Sequence, residues 1–119
     1  MRSFKTHALA LGAGLIAGAL LLLVLRGRPD LATIEIVNVA EAPIASIKVD
    51  LPDETGVLLV ENLAPGEGRV LPYYIRGEGD LRVSATFSDG TVITTEHYVE
   101  KGYSTLDHIH HDRIEVIDH

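Results

Sequence analysis

The stretch Leu81-Arg82-Val83-Ser84-Ala85-Thr86-Phe87-Ser88-Asp89-Gly90-Thr91-Val92-Ile93-Thr94-Thr95-Glu96-His97-Tyr98-Val99 decides the fold of this chain. Leu81, Val83, Ala85 and Phe87 alternate with Arg82, Ser84, Thr86 and Ser88, which is the period of a strand with one face in a core. Asp89-Gly90 is followed at once by a second β-rich run. Asp-Gly between alternating runs signals a hairpin, because both central residues of a type I′ turn need positive φ. A two-residue loop there sets Ser88 opposite Thr91 and pairs Phe87 with Val92, Ala85 with Thr94 and Leu81 with Tyr98.

The same texture extends on both sides. Ala32–Val39 reads as a first strand, stopped by Glu41-Ala42-Pro43 because proline cannot donate to a ladder. In the next strand Ala45, Ile47, Val49 and Leu51 face one way while Ser46, Lys48 and Asp50 face the other. Pro52-Asp53-Glu54-Thr55-Gly56 is a turn cluster, and Val57–Glu61 is a short apolar run fit for burial on both faces. Val70–Arg76 is a strand whose Pro72 places it at a sheet edge, and Gly77-Glu78-Gly79-Asp80 turns the chain. Tyr103–Ile109 and Arg113–Ile117 follow, separated by a turn at His110-His111-Asp112.

Leu63-Ala64-Pro65-Gly66-Glu67-Gly68 is the most recognisable loop. The leucine plugs the core edge, and Pro65-Gly66 supplies a fixed φ followed by a permissive one, as a type II turn requires. Over these six residues the loop resembles those between strands of bacterial immunoglobulin-like modules. Turn signals every 8 to 12 residues predict an all-β domain, a small immunoglobulin-like β-sandwich of seven to eight antiparallel strands, with a small barrel as the other fold of that spacing.

The chain has 119 residues, no cysteine and a formal net charge of −7. That charge is unevenly spread. Residues 1–29 hold four basic side chains and no acid, whereas residues 30–119 hold six basic and all 17 acidic ones, giving +4 and −11. Ala8 to Leu25 are uncharged and almost all apolar, and as a helix they would extend about 27 Å, near the thickness of a bilayer core. The expected organisation is a short cytoplasmic tail over 1–7, one N-terminal transmembrane helix over 8–25, a short linker over 26–31 and a β-sandwich domain over 32–119. A cleaved signal peptide is the competing reading. It is disfavoured because the apolar core is long and Leu22-Leu23-Val24-Leu25-Arg26 offers no small-x-small cleavage triplet. Arg2, Lys5 and the free amine against Arg26, Arg28 and the nearby Asp30 put the N-terminus in the cytoplasm. The domain then lies outside the inner (cytoplasmic) membrane, in the periplasm of a Gram-negative host. Ala10, Gly14 and Gly18 recur every four residues, a small-residue stripe that would let two such helices pack as a homodimer.

An acidic domain repels phosphate, so nucleic acid is excluded as a partner. Absence of cysteine removes disulfides, thiolate metal sites and cysteine nucleophiles. No Gly-x-Ser-x-Gly, His-Glu-x-x-His or Lys-bearing phosphate loop is present, and Ser104, Asp107 and His108 are close in sequence without implying a triad. The chain is therefore read as non-enzymatic and without a cofactor, and Glu96 and Asp107 as strand-face and loop acids. The compositional excess is histidine. His108, His110 and His111 with Asp112 form a candidate site for Cu²⁺, Zn²⁺ or Ni²⁺, with Asp107, His97 and His119 as neighbours, and clustered imidazoles also allow pH sensing. Tyr73 and Tyr74 are candidates for a protein interface, since tyrosine joins apolar area to a polar tip, although at least two of the four tyrosines are needed to fill the core. The expected function is a single-pass membrane-anchored module that binds another protein, as a complex subunit, an assembly factor or a toxin-immunity protein. The alternative is a metal-binding module using the histidine cluster.

Overall fold

Alternation of apolar and polar residues becomes eight strands in the computed structural model, which describes residues 31–118. They are β1 (Leu31–Asn38), β2 (Ile44–Asp50), β3 (Val57–Leu63), β4 (Gly68–Tyr74), β5 (Glu78–Phe87), β6 (Val92–Glu100), β7 (Ser104–Ile109) and β8 (Ile114–Asp118). Two four-stranded sheets result, ordered β4-β1-β7-β8 and β3-β2-β5-β6. The fold is all-β, and the two sheets are those of a β-sandwich. Ile34 and Ile36 of the first sheet and Ile47, Val49, Leu81, Val83 and Phe87 of the second are buried in one core. Residues 8–25, with Ala10, Gly14 and Gly18, lie outside the described residues. Among the described residues no helix is long and apolar enough to cross a membrane.

The pairing is not antiparallel throughout, contrary to expectation. β1 and β7 run parallel, from Thr33 opposite Ser104 to Asn38 opposite Ile109. A parallel pair needs a long crossover, and here everything from β2 to β6 supplies it. The chain passes to the second sheet twice before β7 returns along the open side of β1.

At the β5–β6 hairpin the turn is where the sequence puts it, but the register differs by one residue. Thr86 pairs with Val92, Ala85 with Ile93 and Leu81 with His97. The loop spans Ser88, Asp89 and Gly90: the Gly90 N–H donates to the Phe87 carbonyl at 2.9 Å, and the Phe87 N–H donates to the Thr91 carbonyl at 2.8 Å. Gly90 has φ 92°, so this is a turn closed by one left-handed glycine, not the two-residue type I′ form. Asp89 stabilises it by accepting the Thr91 N–H on Oδ1 at 2.9 Å. As a result Ile93, Thr95, His97 and Val99 face inward, while Val92 and Tyr98 are exposed.

Three further differences have local causes. A bulge between Ile44 and Ser46 turns Ala45 outward while Ile44, Ile47 and Val49 stay buried. Gly79 does not turn the chain; it sits within β5, where a Cβ would come within 2.6 Å of Pro52 Cβ, so glycine permits a close approach. The Val57–Glu61 run is not buried on both faces, because β3 is an edge strand. The Leu63 loop matches its reading: Leu63 is fully buried, Gly66 has φ 82°, and the Glu67 N–H donates to the Ala64 carbonyl at 3.0 Å. β4 is likewise an edge strand and carries Pro72.

Asn38, wholly buried at the end of β1, ties these loops together. Its amide donates to the carbonyls of Ala42 at 3.0 Å and Leu63 at 3.1 Å, and its Oδ1 accepts the Ala40 N–H at 3.0 Å. One side chain thus joins the exit of β1, the loop to β2 and the end of β3, across both sheets. Asn38→Ala leaves those backbone groups unpaired in the interior and is expected to cost about 2–4 kcal/mol, measured as a lower urea midpoint by tyrosine fluorescence.

Candidate functional site

β3 supplies the exposed feature best suited to recognition. It is hydrogen-bonded to β2 on one side, from Ile44 opposite Leu63 to Asp50 opposite Val57, and among the described residues it ends the sheet on the other. Its four leading residues, Val57 to Val60, are all apolar. Period two sends Val60 into the core and Val57 and Leu59 outward, where they are 55% and 60% exposed. Glu61 continues the outward row, is exposed, and has no ion-pair partner among the described residues. Asn62, at φ 56°, breaks the extended backbone at the far end.

A second constellation is internal. Asp107, assigned by sequence to an exposed strand face or loop, is wholly buried between the sheets, and its Oδ2 lies 3.2 Å from Nε2 of His97. The pair bridges β7 of one sheet and β6 of the other. Asp107 Oδ1, the Tyr73 hydroxyl and Thr105 Oγ1 are buried without a hydrogen-bond partner among the described residues. Burial pushes the Tyr73 hydroxyl well above the ordinary tyrosine range, and the negative charge of Asp107 adds to the effect, so Tyr73 stays neutral. Alternation along β7 turns Thr105, Asp107 and Ile109 inward, leaving Ser104 and His108 on the opposite face. Ser104, Asp107 and His108 therefore do not converge, and the Ser104 hydroxyl instead lies 3.0 Å from that of Thr33.

The predicted histidine cluster is divided among several partners. His108 lies half-buried on β7 opposite Glu115, and His110 in the next turn has Nε2 3.2 Å from Glu115 Oε1. His111 turns away to the β5–β6 loop, where its Nε2 is 2.8 Å from Asp89 Oδ2 and its ring centroid is 4.8 Å from that of Phe87. Asp112 pairs with Arg113 at 3.1 Å. Among the described residues no group of three or more histidine or carboxylate side chains is placed to hold a metal ion. His119 lies outside the described residues.

Tyr73, expected at an interface, is in the core because the period of β4 turns it inward; Tyr74, the next residue, is 65% exposed. Tyr103 also packs against the core. Tyr98 is exposed, and its hydroxyl bonds to the carboxylates of Glu100 and Glu78, which raises its pKa.

No family model matches the chain, and no curated protein matches it in sequence. A solved structure matches it in fold. The NMR structure of a protein from Eubacterium rectale superposes with a TM-score of 0.62 at 18% identity, covering 76% of this chain and 91% of that one. What the two share is the fold.

These contacts can be tested by their energetics. Breaking the buried pair with His97→Leu leaves an unpaired interior carboxylate and should cost about 3–5 kcal/mol, whereas the double variant His97→Leu, Asp107→Leu should recover most of the loss in a double-mutant cycle. Asp89 is held down to about 2 by the Thr91 N–H first and by His111 second. A carboxyl depressed from 3.8 in the folded state stabilises the fold above its unfolded pKa, and that contribution disappears as pH falls from near 4 to about 2. Urea midpoints across that range should fall less steeply in Asp89→Asn than in the wild type.

Proposed function

We propose that this chain is a single-pass membrane-anchored β-sandwich of immunoglobulin-like type that binds another protein at the outer face of the membrane, as a non-enzymatic accessory subunit or assembly factor. The observation that carries the reading is the edge of β3, where Val57 and Leu59 stay exposed beside backbone groups that pair with no strand among the described residues. Natural sheets blunt their edges with proline, lysine or short strands, and residues 57–63 contain neither proline nor lysine. An edge left open in this way suits recognition of a polypeptide. The −11 charge of residues 30–119 keeps the domain away from nucleic acid and anionic lipid and favours a basic partner.

The anchor reading rests on the uncharged stretch Ala8 to Leu25, flanked by basic residues. Arg26 to Leu31 leaves only a few residues between that stretch and β1, so the domain would work close to the bilayer surface. Affinity capture of the full-length chain from native membranes is expected to recover one partner at fixed stoichiometry. Recovery of the chain alone, under mild detergent and low salt, would overturn the reading.

A further inference from the structure

We propose that the free edge of β3 binds its partner by strand addition, taking up an extended segment that alternates apolar residues and carries a basic residue two positions beyond the second of them. The inference rests on the protein-binding reading above and names the chemistry of the partner.

The four sheet edges are not equivalent. β4 carries Arg69 and the non-donating Pro72, β8 has only five residues, and the outward row of β6 includes Glu96, paired with Arg82 at 3.9 Å. β3 instead begins its outward row with two apolar side chains in succession, Val57 and Leu59, whereas β6 follows Val92 with Thr94 and Glu96. An added strand would complete the backbone hydrogen bonds of that edge. Running parallel to β3, it would set its outer-face side chains beside Val57, Leu59 and Glu61 in turn, at the spacing of ordinary cross-strand neighbours. Apolar, apolar and basic side chains satisfy that row. On the inner face half-buried Leu58 would gain cover beside Val60.

Charge separates the possible occupants. A second copy would bring one −11 domain against another. Antiparallel self-pairing about Leu59 would also set Glu61 against Val57, a carboxylate beside an apolar side chain. A basic segment instead meets the unpaired Glu61 and the field of the whole domain. Lys48, beside Leu59 on β2, is paired with Asp50 at 3.5 Å and so opposes such a segment little.

The test uses the full-length chain and two synthetic peptides, Thr-Val-Thr-Val-Thr-Lys-Thr and the same peptide with Glu in place of Lys. Saturation with the lysine peptide is expected to slow hydrogen exchange of β3 amides at least about tenfold. It should bind about fivefold more tightly than the glutamate peptide at low salt, a gap that narrows as salt is added. Leu59→Lys should abolish the protection, while Val92→Lys, at an equally exposed position on β6, should leave it intact. Unchanged β3 exchange at millimolar peptide, or equal protection in Leu59→Lys, would overturn the proposal. Capture from native membranes separates the two claims. A stoichiometric partner recovered equally by wild type and Leu59→Lys leaves the binding function standing and removes the edge. β3 protection by the lysine peptide with no membrane partner does the reverse.

Discussion

A single hydrogen bond, from the N–H of Gly90 to the carbonyl of Phe87, fixes which side of β6 belongs to the core. With glycine at φ 92° the turn takes three residues, and the returning strand is displaced by one position relative to a two-residue loop. Because side chains alternate, that displacement selects Ile93, Thr95, His97 and Val99 as the inner row. His97 then reaches Asp107 across the sandwich, and the second sheet acquires a polar bond to the first where β6 faces β7. The Asp89 carboxylate that stabilises the turn also takes the imidazole of His111, so the same few residues help to hold the β7–β8 turn against β5.

Local chemistry was readable in the residues; pairing across the molecule was not. Leu63-Ala64-Pro65-Gly66 could be read because each conformational demand is met by the residue itself: proline sets one φ, glycine accepts the next, and leucine is the apolar side chain beside them. Pro72 marked β4 as an edge for a similar reason. Asp89-Gly90 located its turn but not its type, since the same dipeptide serves both a type I′ loop and a bulged one. The burial of Asp107 does have a local signal, because counting back by twos from Ile109 puts Asp107 on the core face. His97 has no such signal, its orientation being set by the turn seven residues earlier. Whether Val57–Val60 lies at the centre or the rim depends on sheet order, which separate strands do not encode.

The two polar constellations illustrate opposite uses of burial. Asn38 is wholly enclosed and makes three hydrogen bonds, so it adds cohesion at the junction of three chain segments. Asp107 is equally enclosed but has one oxygen unpaired, and it sits among other orphaned polar atoms. A buried pair of this kind adds little net stability, because desolvation offsets much of its attraction. Asn38 meets β3 only at its last residue, Leu63, and Asp107 meets β6, so neither fastener involves the exposed Val57 and Leu59.

The parallel pairing of β1 and β7 has a mechanical consequence. β1 is an inner strand, gripped by β4 from Leu31 opposite Tyr74 to Val37 opposite Gly68, and by β7 from Thr33 opposite Ser104 to Asn38 opposite Ile109. Tension arriving through the N-terminal side of the chain enters at Leu31 and pulls along the strand axis, so both ladders are loaded in shear. Hydrogen bonds loaded this way must slip together, whereas those of a terminal strand peeled from a rim break singly and in turn. A partner tugging on the domain would therefore meet its stiffest resistance at the strand through which the chain enters.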